Sequence, residues 1–183
     1  MSIKVTRPKK ADVLKCVARF GDLSSTGRGL PDQEVEGFYR TFRNVVGFEA
    51  PEGEETFSPL GDDAKPHIAH LKPGFGLGYV SASPGQGVMM HTHDTNETFV
   101  VIEGTWMFEW EGDEGDDHVV LTEKDVVSFP PGIQRRFECQ SAREKNQEGI
   151  IMGVIGGDMP GAEYSPEAVE RMKEEGVWSS ESD

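Results

Sequence analysis

Between Gly85 and Gly104 the chain sets two imidazoles and a carboxylate at a spacing that restricts both its fold and its chemistry. His91 and His93 are two residues apart, so on an extended strand both side chains leave the same face. Asp94, Thr95 and Asn96 are turn formers, and Glu97 opens an apolar, β-branched segment that runs to Gly104. A hairpin built this way returns Glu97 to the side of the two histidines. Imidazole nitrogen and carboxylate oxygen together suit a divalent transition metal such as Fe, Mn, Ni or Zn. Two histidines and one carboxylate with open positions are also the composition of non-heme Fe(II) oxygenase sites. The plain alternative is two histidines capping a strand end, with Glu97 turned to water.

The surrounding pattern is β. From His67 onward, short apolar runs are punctuated by Gly, Pro and Asp, and strands are expected near 67–72, 75–83, 87–93, 97–103, 105–111, 117–122, 126–129, 135–139 and 149–155. Short strands joined by tight turns make a sandwich or barrel, not an alternating α/β fold. Gly112 to Asp117 reads as a charged hairpin tip. Ser165-Pro166-Glu167 opens a terminal helix, with serine as N-cap and proline in the first turn, closing near Gly176.

The run from Gly85 to Gly104 resembles the first motif of the cupin superfamily, G-x5-H-x-H-x3-E-x6-G, at every fixed position: Gly85, His91, His93, Glu97 and Gly104. The second motif, G-x5-P-x-G-x2-H-x3-N, is matched by Pro130 and Gly132 alone. Lys124 stands at its glycine, Arg135 at its histidine and Cys139 at its asparagine. The resemblance covers roughly residues 70–158. It implies an all-β jelly-roll barrel with a central pocket, and it does not imply one activity.

If the family register holds, Arg135 points into that pocket beside Glu97. A guanidinium stays protonated and cannot ligate a metal. A +2 ion and Arg135 about 6 Å apart would repel by ~5 kcal/mol at an effective dielectric of ~20. Two outcomes stay open. In one, a metal-dependent enzyme, an Fe(II) dioxygenase among the candidates, uses His91, His93 and Glu97 for the ion while Arg135 fixes a small organic anion. In the other, Arg135 pairs with Glu97 and the pocket is a metal-free, non-catalytic binding site. A register slip at Pro130-Pro131-Gly132 would instead aim Gln134 inward and put Arg136 at the rim.

Strand parity places Phe99 and Val101 on the face of Glu97, and Phe137 and Cys139 on that of Arg135, so the three apolar side chains are candidate pocket walls. Trp106, Phe108 and Trp110 alternate on one face, as core or as an aromatic wall, Trp106 being the candidate for the pocket. Cys139 reads as a buried thiol without chemistry. His67 and His70, three apart on an expected strand, would face opposite ways, and His118 would face out.

A net charge of -15 argues against nucleic acid and anionic membrane surfaces. No apolar run is long enough to span a bilayer and no signal segment is evident, which gives a cytoplasmic expectation. Cys16 and Cys139 are too few for a disulfide framework. The expected organisation is an N-terminal arm over 1–66, a barrel over 67–158, and a C-terminal helix and tail over 159–183. Within the arm, Lys9 to Phe20 could form a helix, Gly21 to Pro31 reads as loop, and 33–48 carry apolar surface in need of a partner. Pro51 to Lys65 reads as acidic and exposed, and the tail from Ser179 as frayed. The arm and an uncovered apolar sheet face together lead to an expected homodimer.

Overall fold

A computed structural model of the chain describes residues 3–49, 57–61, 63–144 and 147–178. Among the described residues ten strands form two five-stranded antiparallel sheets. One has the order β1 (Thr41–Val46), β2 (Phe75–Ala82), β9 (Gly149–Gly156), β4 (Glu97–Glu103), β7 (Val126–Phe129). The other runs β10 (Ala162–Tyr164), β3 (His91–His93), β8 (Arg135–Ser141), β5 (Thr105–Gly112), β6 (Gly115–Thr122). The expected all-β jelly roll is what forms.

Alternation drives the packing. Phe99 and Val101 of β4, Phe137 and Cys139 of β8, Trp106 and Phe108 of β5, and Ile151 and Ile155 of β9 are all buried between the sheets. Their polar or β-branched neighbours face outward, as a period of two requires. Phe99, Phe108 and Phe137 pack with ring centroids 5.2–6.2 Å apart, and Trp106 meets Phe137 edge-on at 5.8 Å. The stripe Trp106–Phe108 is therefore core. Gly104, at φ 86 between β4 and β5, lies so close to the Ser141 carbonyl that no Cβ fits there. Backbone conformation thus explains one fixed glycine of the first motif.

Several elements differ from the sequence expectation. Residues 67–72 form turns and bends instead of a strand, because Ile68 alone among them is buried and the segment finds no ladder partner. His67, His70 and His118 are all exposed. The 87–93 strand shortens to β3, its earlier residues being held singly by Gly37, Glu138 and Phe137. The helix expected over Lys9 to Phe20 is a single turn, α1 (Lys10–Leu14), with Val13, Leu14 and Val17 exposed and nothing to bury them. Two strands went unanticipated: β1, which pairs with β2, and β10, which pairs with β3.

Of the acidic stretch expected to be exposed, residues 50–56 and 62 lie outside the described residues; Ser58, Leu60 and Ala64 are buried. The tail from Ser179 also lies outside them. Helix α2 (Pro166–Glu174) begins as expected, with the Ser165 hydroxyl accepting from the Ala168 amide. Among the described residues no helix is long and apolar enough to cross a membrane.

Candidate metal centre

The site sits between the two sheets, where the chain passes from β3 of one to β4 of the other. β3 is three residues long, and its pattern of buried His91, half-buried Thr92 and buried His93 sends both imidazoles inward. The turn Asp94–Asn96 carries the chain across to the other sheet, where Glu97 is the first residue of β4 and is 4 % exposed. One nitrogen from each imidazole and one carboxylate oxygen lie within 4.8 Å of one another.

Both rings are oriented by backbone carbonyls. His91 Nδ1 lies 2.8 Å from the Met89 carbonyl oxygen, and His93 Nδ1 lies 2.9 Å from that of Gly161. A carbonyl only accepts, so each Nδ1 carries the proton and each Nε2 of a neutral ring presents a lone pair. The rings stand nearly perpendicular, with centroids 5.0 Å apart. Glu97 Oε1 lies 3.5 Å from His93 Nε2. Three acceptor atoms gathered in a buried space repel one another unless a proton or a cation is shared among them.

Arg135 supplies the fourth group. In the β3–β8 ladder it stands directly opposite His91, which sends its side chain inward. Its Nε and Nη2 both donate to Glu97 Oε2, at 3.2 and 2.9 Å, and its Nη1 donates to the Ile133 carbonyl at 3.0 Å. Oε2 is thereby spent on Arg135, while Oε1 is left to the histidines. Gln134 is not the inward residue, and Arg136 lies on the outer face, paired with Glu109 and Glu138.

Burial alone would raise the Glu97 carboxyl, but His93 and then Arg135 and His91 outweigh it and bring it down to about 2. Burial, with His93 and Arg135 close by, holds the His91 imidazole well below its ordinary range. At neutral pH the centre therefore presents an ionised carboxylate and an unprotonated His91. Cys139 takes no part: burial pushes its thiol up, and it lies near the Ser141 carbonyl.

A cavity of about 30 Å³ opens onto the centre, room for about two waters. His91, His93 and Glu97 form its polar part, and Phe42, Val80, Val88, Phe99, Phe137 and Ile155 are among its apolar walls. Phe99 and Phe137 stand on the wall where parity put them. Val101 and Trp106 do not line it: both are buried in the core, and the Trp106 indole is turned to the Glu103 carbonyl. Arg135 reaches the cavity only through Glu97.

Most of the wall escaped the sequence, Arg40, Phe48 and Leu60 included. Arg40 is 1 % exposed and makes a two-pronged pair with Asp32 at 2.9 and 3.0 Å. No spacing rule announces such a pair, since its partners lie on irregular chain.

The donor set fits a resident ion. Two imidazole nitrogens and one carboxylate oxygen converge, second-layer carbonyls fix both tautomers, and open positions remain toward the cavity.

Comparison with known proteins agrees with this fold. The cupin domain family matches residues 78–144, a stretch that contains β3 to β8 and most of β2. No curated protein matches the chain. Among solved structures, a vicilin from Solanum melongena superposes with a TM-score of 0.56 at 12% identity, covering 86% of this chain and 36% of that one. That structure is described as holding different anionic ligands in structurally similar pockets. A vicilin from Corylus avellana (0.51) and the formate complex of Lactobacillus farciminis oxalate decarboxylase (0.52) align at 12% identity, over 82% of this chain and 36% of theirs. The chain thus spans about a third of the length of these structures, and at such identity the likeness is one of fold. Residues 78–144 thus match the cupin domain family, and the two-sheet architecture around them is the cupin fold.

Proposed function

We propose that the chain is a metal-dependent cupin enzyme that holds one divalent transition ion on His91 Nε2, His93 Nε2 and Glu97 Oε1 and acts on a small organic anion. The observation that carries this reading is the pair of carbonyl-capped imidazoles, which leave two lone pairs and a carboxylate oxygen aimed at one point. A bound Fe(II), Mn, Ni or Zn ion would supply Lewis acidity and, for iron, oxygen chemistry.

The protein's own residues do the rest. Glu97 and Arg135 cancel in charge, so a dication would leave the buried site positive by two. An anionic ligand restores neutrality, which is the physical reason to expect one. The apolar walls exclude water and accept the carbon skeleton, and the small volume selects compact molecules. Arg135, spent on Glu97 and Ile133, acts on the anion by setting the position of the carboxylate instead of grasping the substrate directly.

The Arg135–Glu97 pair favours a second reading, a metal-free binding protein whose polar groups satisfy each other. Calorimetry of tag-free protein with acetate, oxalate and malonate, with and without Mn2+, separates the two. The enzyme reading expects at least one of these anions to bind only after metal loading, and Fe2+-loaded protein to turn over a small carboxylate. Anion binding indifferent to a chelator would support the metal-free reading and sink the first.

We further propose a homodimer built on the outer face of the first sheet. Val126, Val100, Met152 and Tyr79 stand in register on four neighbouring strands, forming an apolar row that alternates with the buried side chains. Sedimentation should give the mass of two chains at micromolar concentration; the mass of one would refute the dimer.

A further inference from the structure

The two imidazoles are held by the same device on opposite sides of the centre. His91 donates to the carbonyl of Met89, and the Met89 amide in turn donates to Asp32 Oδ2 at 3.2 Å. His93 donates to the carbonyl of Gly161, and the Gly161 amide donates to Asp94 Oδ1 at 2.9 Å. In each case an aspartate pins the residue whose carbonyl fixes the ring.

The two aspartates are differently made. Asp32 is fully buried, and besides Met89 it accepts from both Arg40 terminal nitrogens and from the Tyr164 hydroxyl at 2.6 Å. Tyr164 stands opposite His91 in the β10–β3 ladder, so this cluster braces the ligand strand, with Arg40 also reaching the cavity wall. Asp94 is exposed, follows His93 directly, and ties the β3–β4 turn to the segment that enters β10.

We propose that Asp32 and Asp94 are positioning residues of the metal centre, each fixing one imidazole through the backbone of Met89 or Gly161. The inference rests on the metal reading above and adds residues that neither motif fixes. The reason is geometric: ring orientation follows the accepting carbonyl, and a carbonyl moves unless its residue is anchored. Loss of outer partners of ligating histidines typically weakens metal binding by about 10–100-fold, and these aspartates stand one bond further out.

Full-length, tag-free protein titrated with Co2+ provides the test, reading affinity together with the ligand-field bands that report ring geometry. Asp94→Ala, a surface change, should weaken Co2+ binding by roughly five- to tenfold and shift the bands. Asp32→Asn keeps an acceptor but loses its charge, and should act in the same direction. The control is Asp125→Ala, which removes another exposed aspartate bonded to a backbone amide, that of Thr122, at the far end of β4. It should lower the melting temperature while leaving Co2+ binding unchanged.

Wild-type affinity and an unaltered spectrum in Asp94→Ala would overturn the inference for that residue even if Asp32→Asn fails to fold. Asp32 is decided on wild-type protein: exchange of the Met89 amide should slow on Co2+ binding, since coupling is reciprocal, and unchanged exchange overturns its role. If wild-type protein takes up no Co2+, the metal reading falls and this one with it; if wild type loads and the variants match it, this one alone falls.

Discussion

The two halves of the barrel that build the site diverge in an instructive way. The first, Gly85 to Gly104, carries every motif residue in the orientation the motif implies: inward histidines, an inward glutamate, and glycines at Gly85 and Gly104 with positive φ. The second, Lys124 to Cys139, keeps the backbone and changes the chemistry. Lys124, standing where the motif has glycine, adopts φ 78, and Gly132 adopts φ 80. Arg135, standing where the motif has a histidine, is still buried and still faces His91. Turn geometry and strand register therefore persist where the side chains do not. A guanidinium where the motif has a histidine leaves two histidines and a carboxylate braced by a cation.

The largest test of this contrast is Glu97→Gln in metal-free protein, which leaves Arg135 buried without a counter-charge. Unfolding in denaturant should show a loss of about 3–5 kcal/mol. Adding Arg135→Leu should restore most of it; a loss below about 1 kcal/mol for the single variant would mean Arg135 does not depend on Glu97.

Arg135→His comes next. It removes a repulsion of order 5 kcal/mol against a bound dication and offers a third imidazole, so Zn2+ affinity should rise by at least ~100-fold. Unchanged affinity would show that the second half no longer holds ligand geometry.

The pH dependence of stability sharpens the first half. His91 has a folded pKa well below its ordinary value, so the native state binds fewer protons than the unfolded chain below pH ~6.5. Its contribution is full above that pH and is lost as pH falls toward the folded pKa. Glu97, brought down to about 2, adds stability that is present above pH ~4.5 and lost between there and pH 2. Metal-free His91→Asn should therefore show a flatter stability curve just below pH 6.5 than wild type. An identical slope would contradict the buried, unprotonated imidazole.

The smallest expected effect is Lys124→Gly, which should stabilise by about 1 kcal/mol by relieving a left-handed lysine. A loss instead would mean that the Lys124 side chain contributes more than its backbone strain.

What the sequence disclosed follows from how local each signal is. Alternation located β2 and β4 to β9, and fixed spacing located His91, His93 and Glu97, because strand parity and turn chemistry act over a few residues. β1 was hidden because Asn44 occupies an inward position, its amide nitrogen donating to the Gly47 and Ala64 carbonyls. β10 was hidden because three residues carry no period. Arg40 and Asp32 carry no sequence signal, because burial and each other's company are what set them apart. Parity also overreached: Val101 shares a face with Glu97 and Phe99, yet lies beyond the end of the cavity.

The central claim is that three lone-pair donors inside the barrel share one cation. Elemental analysis of tag-free protein, prepared with Fe, Mn, Ni and Zn supplied in turn, tests it most directly. The expected result is one divalent ion per chain with at least one of these metals, falling to trace in His93→Ala. Protein that stays at trace levels with every metal, or a His93→Ala variant that loads as fully as wild type, would contradict it.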